Sequence, residues 1–282
     1  MQNNVFYTNK TLNVSGKLID LSTPKVMGIL NVTPDSFFDG GRFTDKKLAL
    51  GHASQMLEEG ADFIDVGGVS TRPGASYLTE EEESSRVLPV ISLLAKSLPD
   101  TILSADTFRS STARRAVEAG ASIINDISGG GQDPLMFETV ASLKVPYILM
   151  HMRGTPETMT SLTNYDNLVK DIIDYFHSRI KALRDLGVKD IILDLGFGFA
   201  KTPDQNFELL NQLDYFRILG LPILAGLSRK SLIWKTLGTT PEDALNGSTA
   251  LHAIALSKGA SLLRVHDVKE AVECVRLISR LK

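Results

Sequence analysis

Eight times along this chain a short apolar run breaks, within a residue or so, into polar sequence, and each time a helical pattern follows. The sharpest break is at Leu30-Asn31. Residues 26–30 read Val-Met-Gly-Ile-Leu, and residues 31–41 carry Asn31, Thr33, Asp35, Ser36, Asp39 and two glycines. The other runs lie at 63–66, 102–105, 122–124, 146–150, 190–193, 222–226 and 261–265. Continuous apolar runs without alternation suit parallel strands buried on both faces. Eight of them, each followed by a helix, predict an α/β protein of the (β/α)8 TIM barrel type. The length, 282 residues, suits a single such domain over 1–282. An open doubly wound sheet is the alternative, but it usually has fewer strands and a glycine-rich first turn. The sequence holds neither a GxGxxG nor a Walker A string.

Helical patterns are expected over 46–59, 79–97, 111–119, 135–143, 166–186, 205–216, 231–236, 241–257 and 268–281. Thr79 stands as an N-cap with Glu82 in the capping-box position. Residues 1–24 carry short segments around 5–7, 12–14 and 18–19 with turn formers between them. They read as an N-terminal β-hairpin that plugs one end of the barrel.

Charge and cysteine content narrow the function classes. A net charge of −3 argues against a dedicated nucleic-acid binder, which shows a basic face. The lone cysteine, Cys274, excludes an intrachain disulfide and a cysteine-based zinc site. It lies in a helical pattern and reads as a small buried apolar residue. The first residues lack a signal-peptide pattern, and no apolar run reaches the length of a membrane span. A cytoplasmic protein is expected, with no nucleic-acid or membrane partner.

In a barrel of this kind the active site is built at the carboxyl ends of the strands. Those ends carry Asn31, Thr71-Arg72, Asp106, Asn125, His151, Asp194, Lys230, and Arg264 with His266. A single Asp after a strand is more often a helix cap than a catalyst. Eight polar ends are harder to explain as eight separate caps. Asp106, Asn125 and Asp194 offer amide and carboxylate groups, and a carboxylate accepts two parallel N–H bonds from an amino-pyrimidine edge. With Lys230 as a further donor they form a receptor for a flat, polar heterocycle, and Phe199 is placed to cover its face or simply to pack in the core.

Arg72, Ser228, Arg229, Arg264 and His266 make an anion side. Arg264 and His266 alternate along a strand and so share a face. Together they suit a phosphate or diphosphate. Asn31 is a neutral oxygen donor beside them, suited to a Mg²⁺ held mainly by the anion and water. No Gly-x-Ser-x-Gly elbow or HExxH spacing is present, so catalysis by positioning and by stabilising a leaving anion is expected.

Eight motifs carry a family resemblance: GILNVTPDSFFDGG (28–41), DVGGVSTRPGA (65–75), SADT (104–107), NDI (125–127), MHMRGTP (150–156), LDLGFGFAK (193–201), GLSRKS (226–231) and RVHDV (264–268). In this order they resemble the motif series of bacterial dihydropteroate synthases, of the pterin-binding barrel family. The resemblance implies condensation of 6-hydroxymethyl-7,8-dihydropterin diphosphate with p-aminobenzoate, giving 7,8-dihydropteroate and diphosphate. It implies that Asp106, Asn125, Asp194, Lys230 and Phe199 hold the pterin, the first four being the catalytic set. Asn31, Arg264 and His266 would hold the diphosphate with Mg²⁺. Thr71, Arg72, Pro73, Phe199, Lys230 and Ser231 would shape the p-aminobenzoate pocket. The loops 32–43 and 67–77 would close over the substrates, and the protein would be a homodimer through its C-terminal helices.

Three positions depart from the family pattern: Phe38, Val69 and Leu195 stand where relatives often carry serine, glutamate and proline. None removes a polar group that the resemblance assigns. The loop after the second strand shows no Phe-Gly insertion of the kind found in resistant relatives, so a sulfonamide-sensitive enzyme is expected. The alternative within the fold family is a methyltetrahydrofolate-binding module of a corrinoid methyltransferase. That module needs the Asp/Asn cradle but has little need of a diphosphate clamp.

Overall fold

The computed structural model describes residues 9–32, 42–68 and 78–281, with the side chains of 42–45 left aside. Two short strands come first, β1 (Thr11–Val14) and β2 (Lys17–Asp20). They form an antiparallel hairpin in which Val14 faces Lys17. Its two-residue turn has Ser15 at φ 51° and Gly16 at φ 86°. Positive φ at both turn positions matches the twist of the flanking strands. The expected segment around 5–7 lies outside the described residues.

The barrel strands are β3 (Lys25–Asn31), β4 (Phe63–Gly67), β5 (Ile102–Asp106), β6 (Ile123–Asp126), β7 (Tyr147–Met150), β8 (Ile191–Asp194), β9 (Ile223–Ala225) and β10 (Leu262–Val265). All neighbours are parallel, and β10 pairs with both β9 and β3, so the sheet closes. Between them run α1 (Arg42–Glu58), α2 (Glu80–Ser97), α3 (Ser110–Ala119), α4 (Met136–Leu143), α5 (Leu168–Asp185), α6 (Pro203–Asn211), α7 (Ser231–Leu237) and α8 (Leu245–Ser257); α9 (Val268–Ile278) follows β10. The expected barrel and all eight strand–helix units are present. Thr79 caps α2 as expected: its hydroxyl accepts from the Glu82 N–H at 3.2 Å, and the Glu82 carboxylate accepts from the Thr79 N–H at 2.9 Å.

Two departures from the expected helix bounds have a visible physical cause. The stretch 205–216 is not one helix: α6 stops at Asn211 and a 3₁₀ segment, Leu213–Leu219, follows. Leu213 and Phe216 are buried and Leu219 is half-buried, three residues apart each time, which is the period of a 3₁₀ turn. The helix expected from 241 begins at Leu245. The carbonyls of Pro241 and Glu242 accept from the Arg229 guanidinium at 3.3 and 3.2 Å, which ties them into a turn instead of a first helical turn.

Period-two alternation divides the strand residues into two cores. Outward-facing Val26, Ile64, Leu103, Ile124, Leu149, Leu193, Ala225 and Leu263 pack under the helices. Inward-facing Met27, Phe63, Ile123, Ile148, Ile192, Leu224 and Leu262 form an apolar layer inside the barrel. Both faces are buried, so the strands show no hydropathic alternation. Leu12, Val14 and Leu21 join the inner layer from below. The hairpin is therefore the plug that the sequence suggests, and the Asp190 carboxylate holds it by accepting from the Asn13 N–H at 2.9 Å. Leu12 is fully buried. Leu12→Ala should cost about 2–5 kcal/mol in urea unfolding. It should leave turnover per folded molecule unchanged, because the plug and the strands' carboxyl ends lie at opposite ends of the barrel.

Candidate active site

One step up from the apolar layer, the inward side chains of five strands turn polar, while Met27 and Ile148 are followed by Ile29 and Met150. Phe63 is followed by Asp65, Ile102 by Ser104, Ile123 by Asn125, Ile192 by Asp194 and Leu262 by Arg264. On these strands the sequence thus switches from apolar to polar within two residues. Leu224 is followed by Gly226, which leaves space. A Cβ placed there would lie 3.8 Å from Asp194 Oδ2 and 3.9 Å from Lys230 Nζ.

Arg264 organises this layer. Its Nε donates to Asp65 Oδ2 at 2.6 Å and its Nη2 to Asp106 Oδ2 at 2.7 Å. Asn125 Nδ2 donates to the same Asp65 oxygen at 2.9 Å. Asp65 is fully buried and the Arg264 side chain 19% exposed, so these contacts form largely out of water. Burial raises the Asp106 carboxyl above its usual range; Arg264 opposes the shift and Asp65 adds to it. Burial also raises Asp194, against the pull of Lys230 and of the Gly196 N–H, which donates to Asp194 Oδ1 at 2.8 Å. Lys230 is lowered to about 8 by burial, with Asp194 opposing. Two groups of opposite charge thus have their titrations drawn toward neutrality.

An apolar wall flanks the cluster. Phe199 packs with Phe108, Ile127, Met150, Met152 and Met159. Lys230 Nζ lies 4.5 Å from the Phe199 ring centroid and donates to the Phe197 carbonyl. At the rim, the Ser228 hydroxyl oxygen accepts from the His266 N–H at 3.1 Å and meets His266 Nδ1 at 3.1 Å. Asn31 is exposed at the last position of β3, and Ser231 is exposed at the first position of α7.

Asp106, Asn125, Asp194, Lys230, Phe199 and Arg264 therefore converge at one barrel mouth, with His266, Asn31 and Ser231 at its rim. Thr71, Arg72 and Pro73, and most of both expected closing loops, lie outside the described residues. Two expectations are corrected. Arg229 is not on the anion side: its Nε and Nη2 bind both oxygens of Asp267, at 2.9 and 2.7 Å, and its Nη1 reaches the Pro241 and Glu242 carbonyls. The turn at Arg229, with φ 53°, aims Arg229 away while Lys230 points inward. His151 is 1% exposed, and burial with nearby Lys201 lowers its basicity well below the ordinary range. It is an interior histidine packed edge-on against Tyr175 at 4.7 Å.

Two buried residues were not singled out from sequence. Asp65 lies inside a strand, one position off the end where site residues were sought. A lone carboxylate in an apolar run was the available signal, because such a group must find a partner. Lys201 closes the LDLGFGFAK string and looks like a solvated helix-flanking lysine, yet it is 8% exposed. Among the described residues, no three His, Cys, Asp or Glu side chains are placed to hold a metal ion. No helix among them is long and apolar enough to cross a membrane.

Comparison with known proteins agrees with this geometry. Residues 27–266 match the family model described as pterin binding enzyme. The dihydropteroate synthase of Escherichia coli K12 is 43% identical over 269 residues, 95% of each chain. That of Bacillus subtilis is 45% identical over 258 residues, 91% of this chain and 88% of its own. The fold superposes on Yersinia pestis dihydropteroate synthase in a sulfonamide complex with a TM-score of 0.90 and 43% identity, covering 96% of this chain and 98% of that one. Matching the family model from the first barrel strand to the last, and these relatives along almost all of its length, the chain belongs to the pterin-binding enzymes and, within them, to the dihydropteroate synthases.

Proposed function

We propose that the polar layer at the barrel mouth joins a 7,8-dihydropterin, activated as its 6-hydroxymethyl diphosphate, to the amino group of p-aminobenzoate. The products are 7,8-dihydropteroate and diphosphate. The observation that carries this reading is the convergence of Asp106, Asn125, Asp194 and Lys230 around Arg264. Carboxylates and an amide match the donor-rich edge of a pterin, and Lys230 supplies a proton donor to a ring acceptor. Phe199 covers a face of the bound rings.

The chemistry asked of the protein is then modest. The bond between the pterin methylene carbon and the diphosphate oxygen breaks, and the electron pair leaves with diphosphate. The aryl amine nitrogen forms the new bond to that carbon and gives up a proton. Arg264 and His266 stabilise the departing anion, with Asn31 beside them. The fit for Mg²⁺ is one exposed amide oxygen, on Asn31, at a rim with no carboxylate cage among the described residues. That suits an ion bound chiefly by diphosphate and water. Mg²⁺ would supply charge neutralisation to the leaving group. Thr71, Arg72, Pro73, Phe199, Lys230 and Ser231 would form the p-aminobenzoate side. The exposed Leu237, Ile254, Leu277 and Leu281 on and after the C-terminal helices support a homodimer. The lone cysteine fits a cytoplasmic enzyme, and the dihydropteroate synthase relatives, one of them in a sulfonamide complex, support a place in folate synthesis and a sulfonamide target.

Purified protein given dihydropterin diphosphate, Mg²⁺ and labelled p-aminobenzoate should form labelled dihydropteroate; absence of product contradicts the reading. The division of the site has its own test. Arg264 also holds Asp65 and Asp106, so its removal disturbs both halves, and the selective variant is His266→Ala. It should raise KM for the diphosphate substrate about tenfold, one charge-assisted contact's worth. Affinity for the bare pterin should change less than about twofold. Equal losses would show that the anion side is misplaced.

The pH profile follows from the two displaced titrations. Asp106 accepts two N–H bonds only as a carboxylate, and burial delays its ionisation, so kcat/KM should rise with pH beyond the ordinary aspartate range. Lys230 loses its positive charge and one of its three N–H donors on deprotonation, so activity should fall as pH passes about 8. Asp106→Asn should lower activity and flatten the acid limb alone. An unshifted acid limb in that variant would assign it to another group.

A further inference from the structure

The loop between β8 and α6, residues 196–200, has more side-chain anchors than its length requires. The Gly196 and Phe199 carbonyls accept from Lys201 Nζ at 2.9 and 3.0 Å. The Phe197 carbonyl accepts from Lys230, and the Ala200 carbonyl accepts from the Tyr165 hydroxyl at 2.9 Å. The Gly198 N–H donates to Asn206 Oδ1 at 2.7 Å. Gly196, Gly198 and Ala200 all have positive φ, of 67°, 80° and 48°. A Cβ on Gly196 would lie 2.0 Å from the His151 carbonyl oxygen, so the loop is pressed onto β7's end. Ala200 has no glycine freedom, and such a residue holds a left-handed conformation only where its surroundings over-determine it.

Lys201 is at the centre of that over-determination. Its third contact is His151 Nδ1 at 3.0 Å. As an ammonium it donates one proton to each carbonyl and one to Nδ1. As a free amine it donates two and accepts the third bond from Nδ1–H. Burial lowers its pKa to about 7, yet either form leaves every valence of Nζ engaged. It has no proton to offer a substrate, which excludes a direct catalytic part. The loop it fastens carries the Phe199 ring, set between the methionine wall and Lys230. Asp194 is fixed mainly by the β8 ladder, accepts from the loop's Gly196 N–H at 2.8 Å, and leans first on Lys230 among its neighbouring charges.

We propose that Lys201, anchored by His151, is a positioning residue: it sets the 196–200 loop and thereby the Phe199 wall of the p-aminobenzoate side, and acts on the pterin cradle to a smaller extent. This rests on the assignment of Phe199 to that side. The test measures KM for p-aminobenzoate and Kd for the bare pterin in Lys201→Met, His151→Phe and Phe199→Ala. Lys201→Met keeps the side chain's length and removes its three polar contacts. It should raise the p-aminobenzoate KM about tenfold, while the pterin Kd stays within about twofold. His151→Phe keeps the aromatic packing and removes only the Nδ1 partner, so it should give the same split at about threefold. If Lys201→Met does not fold, the His151 variant decides by the same split. Parallel loss of both affinities would make Lys201 a general structural residue and overturn the proposal. So would an unchanged p-aminobenzoate KM in the Lys201 or His151 variant beside a raised one in Phe199→Ala. Unchanged values in all three would remove the pocket assignment, and the proposal with it.

Discussion

One guanidinium holds the upper half of this barrel together. Arg264 reaches from β10 past β3 to carboxylates on β4 and β5, and Asn125 on β6 joins through the shared Asp65 oxygen. Without it, two carboxylates would stand next to each other in a barrel interior that excludes water. Removing one partner of such a buried cluster commonly costs about 3–5 kcal/mol. The arrangement has a reason beyond stability. Donors and acceptors already fixed in a dry site need no reorganisation when a polar ring arrives. Asp65 keeps one oxygen, and Ser104 its hydroxyl, without a hydrogen-bond partner in the structure.

The layer below makes this possible. A barrel of this size has an interior that side chains fill completely. Here the lower interior is apolar and plugged by Leu12, Val14 and Leu21, so the ionisable groups have no route downward and face the mouth. The lower layer is a stability device and the upper layer a recognition device, and the boundary falls between adjacent inward positions of the same strands. Loops then add the parts that need independent adjustment. The Arg229–Asp267 fork ties the segments after β9 and β10 together, while Ser228 contacts both the backbone N–H and Nδ1 of His266. The 196–200 loop carries the aromatic wall between two buried lysines.

The fold was legible because both strand faces are buried: continuous apolar runs could be nothing but interior strands. The site was legible where a polar residue ended such a run, as at Asp106, Asn125 and Asp194. It was not legible where direction, rather than residue type, decides the role. Arg229 and Lys230 are adjacent cations, and only the backbone at Arg229, with φ 53°, sends one outward to Asp267. His151 ends a strand as Asp194 does, but it packs among Tyr165, Tyr175 and Phe176 rather than facing the mouth. Asp65 was hidden one turn of the pleat too deep. The bounds of α8 depended on a contact from Arg229, distant in sequence.

The central claim is that Arg264 acts on the pterin side by neutralising and aligning Asp65 and Asp106. The most direct measurement is the Kd of a bare pterin for the wild type, Arg264→Met, and the double variant Arg264→Met with Asp65→Asn. Arg264→Met leaves two buried carboxylates facing each other and should weaken binding strongly. Neutralising Asp65 as well removes the repulsion on Asp106, and the double variant should bind the pterin several-fold more tightly than the single one. A double variant that binds no better than Arg264→Met would contradict the account.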